Sequence, residues 1–180
     1  MIGYLTVEQL KLILTKPNIM TQRGRRDLVL LNVLYDTGAR VQELCNLSLA
    51  DVRLETPAIA VLIGKGGKTR RVPLMTNTVE LLKKYIFENN LYTSHFAGSP
   101  LFFNSQHKKL TGKGVSYIIN KYVNKVRNAS NNLPPSNITP HIFRHTKAMH
   151  LVAHFITHFL FFAVYVYYLH RVNKPKTIFF

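Results

Sequence analysis

The residues best suited to chemistry lie far apart along the chain. His141 and Arg144 fall three positions apart in Thr139-Pro140-His141-Ile142-Phe143-Arg144-His145. Thr139 is a good N-cap and Pro140 a good first helical residue, so the stretch predicts the opening turn of a helix. On that turn His141 and Arg144 share one face, while Ile142 and Phe143 can turn inward to steady it. An imidazole and a forked guanidinium leaving a helix N-terminus side by side suit a phosphate, because the free N–H groups and the macrodipole favour anions there. Alone, the pair describes solvated surface just as readily, so partners must come from elsewhere in the chain.

Two further stretches can supply them. In Thr37-Gly38-Ala39-Arg40-Val41-Gln42-Glu43-Leu44 the glycine lets the backbone turn sharply between two apolar helices. Arg40 is then held at a rigid junction, and Glu43, three residues on, can orient it; a structural ion pair explains the same two residues equally well. In Gly64-Lys65-Gly66-Gly67-Lys68, three glycines and two lysines make a flexible, cationic hairpin tip able to follow a phosphate backbone, or simply a solvated turn. The stretch is not a phosphate-cradling P-loop, because the required spacing is missing.

Regular elements must position these groups. Thr6 to Gln9 is a capping box with Leu10, Ile13 and Leu14 in helical spacing behind it. Lys16 to Arg26 reads as a basic loop broken by Pro17 and Gly24. Leu28 to Tyr35 reads as a buried helix stopped by Gly38. Ala58–Ile63 and Thr69–Leu74 predict a hairpin around the glycine-rich tip. Asn77 with Glu80 predicts the cap of a helix turning Val79, Leu82 and Ile86 inward. Asn89 to Pro100 reads as loop, and Leu101-Phe102-Phe103 as a short buried run. Val115, Ile118, Ile119, Tyr122, Val123 and Val126 give the cleanest amphipathic helix of the chain. The charges off its stripe, Lys113 among them, are solvated or contact phosphates. The expected fold is therefore mainly α with a small antiparallel β-hairpin or sheet, an α+β domain.

Composition narrows the partners. A chain of 180 residues carries 24 lysines and arginines against 8 acids, a formal charge of +16. Such an excess favours a polyanion, nucleic acid first and an anionic membrane second. The single cysteine, Cys45, excludes an internal disulfide and every multi-cysteine zinc pattern, and it reads as a small core residue. His141 with His145, and His150, His154 and His158, recur at i, i+4, but no carboxylate or cysteine completes a zinc set, so no metal or cofactor is expected. The N-terminus has no apolar secretory segment, which makes the cytoplasm the expected location.

Taken together, Thr37-Gly38-Ala39-Arg40-x-x-Glu43-Leu44, Gly64-Lys65-Gly66-x-Lys68-x-Arg70-x-Val72-Pro73-Leu74 and His141-x-x-Arg144-His145 resemble, in order and spacing, the catalytic domain of the tyrosine recombinases, the phage-integrase family. The resemblance runs from about Tyr4 to about Leu151. It implies a partner, double-stranded DNA, and a reaction in which a tyrosine attacks a phosphodiester, is left as a 3′-phosphotyrosine and is displaced by a 5′-hydroxyl when the strand is rejoined. It implies Arg40 and Arg144 as clamps on the phosphoryl oxygens, Lys65 as proton donor to the departing 5′-oxygen, His141 in proton transfer and Glu43 in support. No metal, cofactor or small-molecule ligand is implied, and the family works as tetramers on DNA in integration or transposition.

The chain departs from the family pattern at both ends. The catalytic-like region, 1–151, begins near residue 4, where family members carry a preceding clamp domain. After Leu151 the Leu-Gly-His-like motif and the nucleophilic tyrosine are not recognisable; Tyr165, Tyr167 and Tyr168 come too early, and the nucleophile is unassigned. The apolar segment 152–180 is expected to be an out-of-frame or truncated end, and the chain a defective recombinase. The alternatives are a catalytically inactive DNA-binding remnant and a protein tethered to a membrane through 151–169, near the ~20 residues that span a bilayer.

Overall fold

The period of Val115 to Val126 builds the central helix. In the computed structural model of the chain, which describes residues 3–92, 98–128, 134 and 138–172, with side chains to 162, this helix is Gly112–Arg127 and buries all six apolar residues of the stripe. In chain order it is the fifth. Before it come α1 (Val7–Leu14), α2 (Gln22–Thr37), α3 (Val41–Asn46) and α4 (Thr76–Glu88); it is α5, and α6 (Pro140–Val172) follows. Strands β1 (Val52–Arg53), β2 (Ile59–Ile63) and β3 (Thr69–Pro73) make one antiparallel sheet in the order β1-β2-β3. The mainly helical fold with its small antiparallel sheet is the one expected.

By internal packing the chain divides into two units, Met1–Lys147 and Ala148–Phe180. The core of the first collects Leu10 and Ile13 of α1, Leu30, Leu31 and Leu34 of α2, Leu44 and Cys45 of α3, Leu62 of β2, Leu82 and Ile86 of α4, the stripe of α5 and Phe143 of α6. Cys45 is the small core residue its neighbours suggested. The Thr6–Gln9 capping box closes as expected.

Several boundaries differ from the sequence reading. α2 begins at Gln22, inside the expected Lys16–Arg26 loop, because the Thr21 hydroxyl accepts from the Gly24 N–H and starts the helix early. Gly24 is no breaker: a Cβ there would lie 1.9 Å from the Asn18 carbonyl oxygen, so only glycine lets the loop fold over the helix start. α4 is capped at Met75, not Asn77, and the cap is supplied from outside the helix, by buried Asp36 accepting from the Met75 N–H at 2.7 Å. β1 was not anticipated, since two residues carry no alternation to read. In β2 and β3 the pairing includes Ala60↔Val72 and Leu62↔Arg70.

In the second unit α6 continues, with Leu151, Phe155, Phe159 and Phe162 exposed. Among the described residues no helix is long and apolar enough to cross a membrane. The side chains of Tyr165, Tyr167 and Tyr168, and residues 173–180, lie outside the described residues, as do 93–97 and most of 129–137.

Candidate functional site

Gly38 sets the geometry of the site. It ends α2 with φ 55°, the left-handed conformation that favours glycine. The chain passes through buried Ala39, and Arg40 becomes the extended N-cap of α3. Three residues on, Glu43 is buried, and its carboxylate is a hub. Oε2 accepts from the Arg40 backbone N–H at 2.7 Å and from Arg70 Nη2 at 2.7 Å. Oε1 accepts from Arg40 Nη1 at 3.0 Å and from Arg70 Nη1 at 2.8 Å. Burial alone would raise the Glu43 pKa, but the hydrogen bonds from Arg70 and Arg40 more than reverse this and hold it at about 2. The Arg40–Glu43 contact is thus an ion pair, and the Arg40 side chain still stands 64% exposed, with donors free to face a ligand.

The glycine-rich hairpin grows out of this hub. Gly64, at the end of β2, packs so closely that a Cβ would lie 3.2 Å from Glu43 Oε1. The following Lys65–Gly67 turn is exposed, with Gly66 and Gly67 at positive φ. Lys65 therefore stands on the tip whose root touches Glu43, but it is not one of the residues lining the adjoining pocket.

Arg144 arrives from the first turns of α6. Phe143 is buried and fixes the helix face, as the sequence suggested. Arg144 Nη1 donates to the Gly38 carbonyl at 2.5 Å, a neutral partner. Burial, then the charges of Arg70 and Arg40, pull the Arg144 pKa below the ordinary guanidinium value, with Glu43 opposing. Lys147, one turn further, reaches Asp36 at 3.4 Å and lies over the Tyr35 ring, so α6 is docked onto the C-terminal end of α2 by two cations.

These elements enclose an open pocket of about 700 Å³ whose walls include Arg40, His141 and Arg144, with Lys113 and Ser116 from α5 opposite. Three of the four residues singled out for chemistry thus share one cavity, and Lys65 lies outside its lining. One carboxylate, Glu43, serves Arg40 and Arg70, while Arg144 bonds a neutral carbonyl, so the site is left positively charged and suited to an oxyanion.

Arg70 and Ser116 escape the sequence reading as contributors to the site. Arg70 stood in a recognised motif without a role; its signal was its place on β3, opposite fully buried Leu62 and two residues from the inward Val72, where an arginine requires a partner. Ser116 carries no local signal, whereas Lys113, expected to be solvated or on a phosphate, lines the pocket together with it.

Residues 3–157 match the family model described as the phage integrase family. The chain is 34% identical over 152 residues to a tyrosine recombinase XerC of Anoxybacillus flavithermus, covering 83% of this chain and 48% of the relative. It is 37% identical over 134 residues to XerC of Staphylococcus haemolyticus, covering 73% and 42%. Among solved structures it resembles XerH site-specific recombinase bound to difH substrate, with TM-score 0.67 and 27% identity over 82% of this chain and 42% of that one. XerA recombinase gives TM-score 0.66 and 25% identity over 83% and 50%. The chain spans about half the length of the relatives it matches.

Proposed function

Since the chain belongs to the phage integrase family, we propose that it binds double-stranded DNA and holds one phosphodiester in the Arg40–His141–Arg144 pocket for site-specific strand cleavage and rejoining. The observation that carries this reading is the convergence of Arg40 with His141 and Arg144, about a hundred residues further along the sequence, on one cationic cavity. Arg40 and Arg144 would grip the non-bridging oxygens, where charge develops as the phosphorus is attacked. His141 would move a proton at the same phosphate. Lys65, on its flexible tip, would swing onto the departing 5′-oxygen once DNA fills the groove. The attacking group in this reaction class is a tyrosine hydroxyl; its P–O bond forms as the P–O5′ bond breaks, and attack by a 5′-hydroxyl reverses the exchange. No tyrosine of this chain is assigned that role. The remaining charge, Lys113 included, would lie along neighbouring phosphates, and we place the protein where DNA is, in the cytoplasm.

Duplex binding at graded salt, with a nicked suicide substrate in parallel, tests the proposal. Affinity should fall with a log–log slope of about −0.9 per phosphate neutralised, because binding releases counterions. Arg40→Ala and Arg144→Ala should each weaken it. A covalent protein–DNA adduct would show an active recombinase. Salt-dependent binding without adduct would show a DNA-binding domain that lacks its nucleophile. Affinity indifferent to salt and to both substitutions would refute the reading.

A further inference from the structure

We propose that Arg70 is a positioning residue for this site: its two-pronged contact with Glu43 fixes the Arg40 guanidinium and the root of the Lys65 hairpin relative to Arg144. The inference deepens the proposed function and rests on its reading of Arg40.

A carboxylate offers two oxygens, and each Glu43 oxygen receives one donor from Arg40 and one from Arg70. The Arg40 pair closes the local cap of α3, but one of its two donors is a backbone N–H and the other a long, 64% exposed side chain. Such a side chain loses much rotamer freedom when held in one geometry. The carboxylate orients it only while the carboxylate itself cannot rotate. Arg70 supplies that restraint, because a planar guanidinium bonding both oxygens at 2.8 and 2.7 Å defines their plane. A lysine in the same place would give a single point contact.

The same contact ties two distant segments. Arg70 lies on β3, 27 residues from Glu43 on α3, and the hairpin between β2 and β3 leaves the sheet at Gly64, packed against Glu43 Oε1. One ion pair therefore sets both the direction of Arg40 and the point from which Lys65 departs. Arg70 also adds positive charge beside Arg144, whose hydrogen-bond partner is the uncharged Gly38 carbonyl. Because one carboxylate serves both Arg40 and Arg70, the trio keeps one net positive charge, and the exposed member that lines the pocket is Arg40.

The test uses the full chain free of DNA, followed by binding to duplex. Side-chain ¹⁵N spectra, with Arg40 assigned by its loss in Arg40→Lys, should show hindered rotation of the Arg40 guanidinium. In Arg70→Gln that hindrance should vanish, and the Glu43 carboxyl should titrate ~1–2 pH units higher. Arg70→Lys should be intermediate in both. Duplex affinity should fall roughly three- to tenfold in Arg70→Gln, with no further loss when Arg40→Ala is added, the coupling expected of two residues acting through a third. An unchanged Arg40 signal in folded Arg70→Gln overturns the inference; should that variant fail to fold, an unchanged signal in Arg70→Lys does the same. A changed Arg40 signal with DNA binding absent from every form, wild type included, upholds Arg70 as the positioning residue and removes the DNA reading instead.

Discussion

Replacing Glu43 by glutamine should destabilise the protein in a manner that depends on pH. The Glu43 carboxylate is 3% exposed and neutralises Arg40 and Arg70 together. A glutamine of the same shape keeps one acceptor and turns its amide donors toward guanidinium donors, so two cations lose their counter-charge. Removing one member of a buried pair costs about 3–5 kcal/mol; Arg40 is largely solvated, which lowers the expectation to ~2–3 kcal/mol. An independent figure comes from titration. With its pKa lowered from 4.5 to about 2, Glu43 contributes at most ~3.4 kcal/mol, at 1.36 kcal/mol per pH unit. Because the folded value is depressed, that contribution is fully present above about pH 4.5 and disappears as the pH falls toward 2. Urea unfolding followed by circular dichroism, run on both proteins from pH 7 to pH 2, isolates the effect, since the other acids titrate in both. The gap between wild type and Glu43→Gln should hold at ~2–3 kcal/mol down to pH 5 and close below it. A gap of constant size across that range would refute the assignment of Glu43 as an ionised hub.

Substitutions at three further positions separate steric, conformational and polar contributions. Gly24→Ala should cost ~2 kcal/mol or more, because the new Cβ meets the Asn18 carbonyl at 1.9 Å and the 18–21 loop must move; a lowered thermal midpoint checks it. Gly38→Ala should cost ~1–2 kcal/mol through its φ of 55° alone, since the nearest side-chain atom to its Cβ is at an ordinary 3.7 Å. Gly38→Asn, which tolerates that conformation better, should unfold at a higher urea concentration than the alanine variant. Tyr122→Phe should lose ~1.5–3 kcal/mol, because its hydroxyl donates to fully buried Asp27 at 2.7 Å. Burial and that same carboxylate also raise the phenol's pKa, so the wild-type ring should resist ionisation in an alkaline ultraviolet titration.

What the sequence makes legible follows from how local the cause is. The α5 stripe, the Thr6 capping box, the pairing of the two hairpin strands and the Gly38 stop all arise from residues close to one another in sequence, and each forms as read. The start of α2 and the cap of α4 were misplaced because their determinants are tertiary: the Asn18 carbonyl that excludes a side chain at position 24, and the Asp36 carboxylate that serves the Met75 N–H. The site divides along the same line. Arg40 with Glu43, and His141 with Arg144, are pairs three residues apart and could be seen as pairs; that they meet in one cavity could not be inferred from spacing and came only with the resemblance. Arg70, whose partner lies on another element, was visible as a motif letter and silent as a function.

The scarcity of acids explains how so basic a chain folds around a basic pocket. With 8 acidic residues against 24 lysines and arginines, random placement would leave the interior without counter-charge wherever an arginine stem must cross it. Instead Asp27, Asp36 and Glu43 are all buried, and each joins separate elements. Asp27 of α2 accepts from Tyr122 and Lys121 of α5. Asp36 joins α2 to the start of α4 and to Lys147 of α6. Glu43 joins α3 to β3. Carboxylates spent on such junctions are unavailable at the surface, so the cations they leave unpaired, above all at the pocket, are neutralised only from outside. Stability and the proposed affinity for a polyanion thus draw on one allocation of charge. Adding an acid at the pocket rim, Ser116→Asp for example, should leave the urea midpoint within ~0.5 kcal/mol of wild type while cutting duplex affinity several-fold. Equal losses of both would mean that the pocket's charge is itself part of the folding balance.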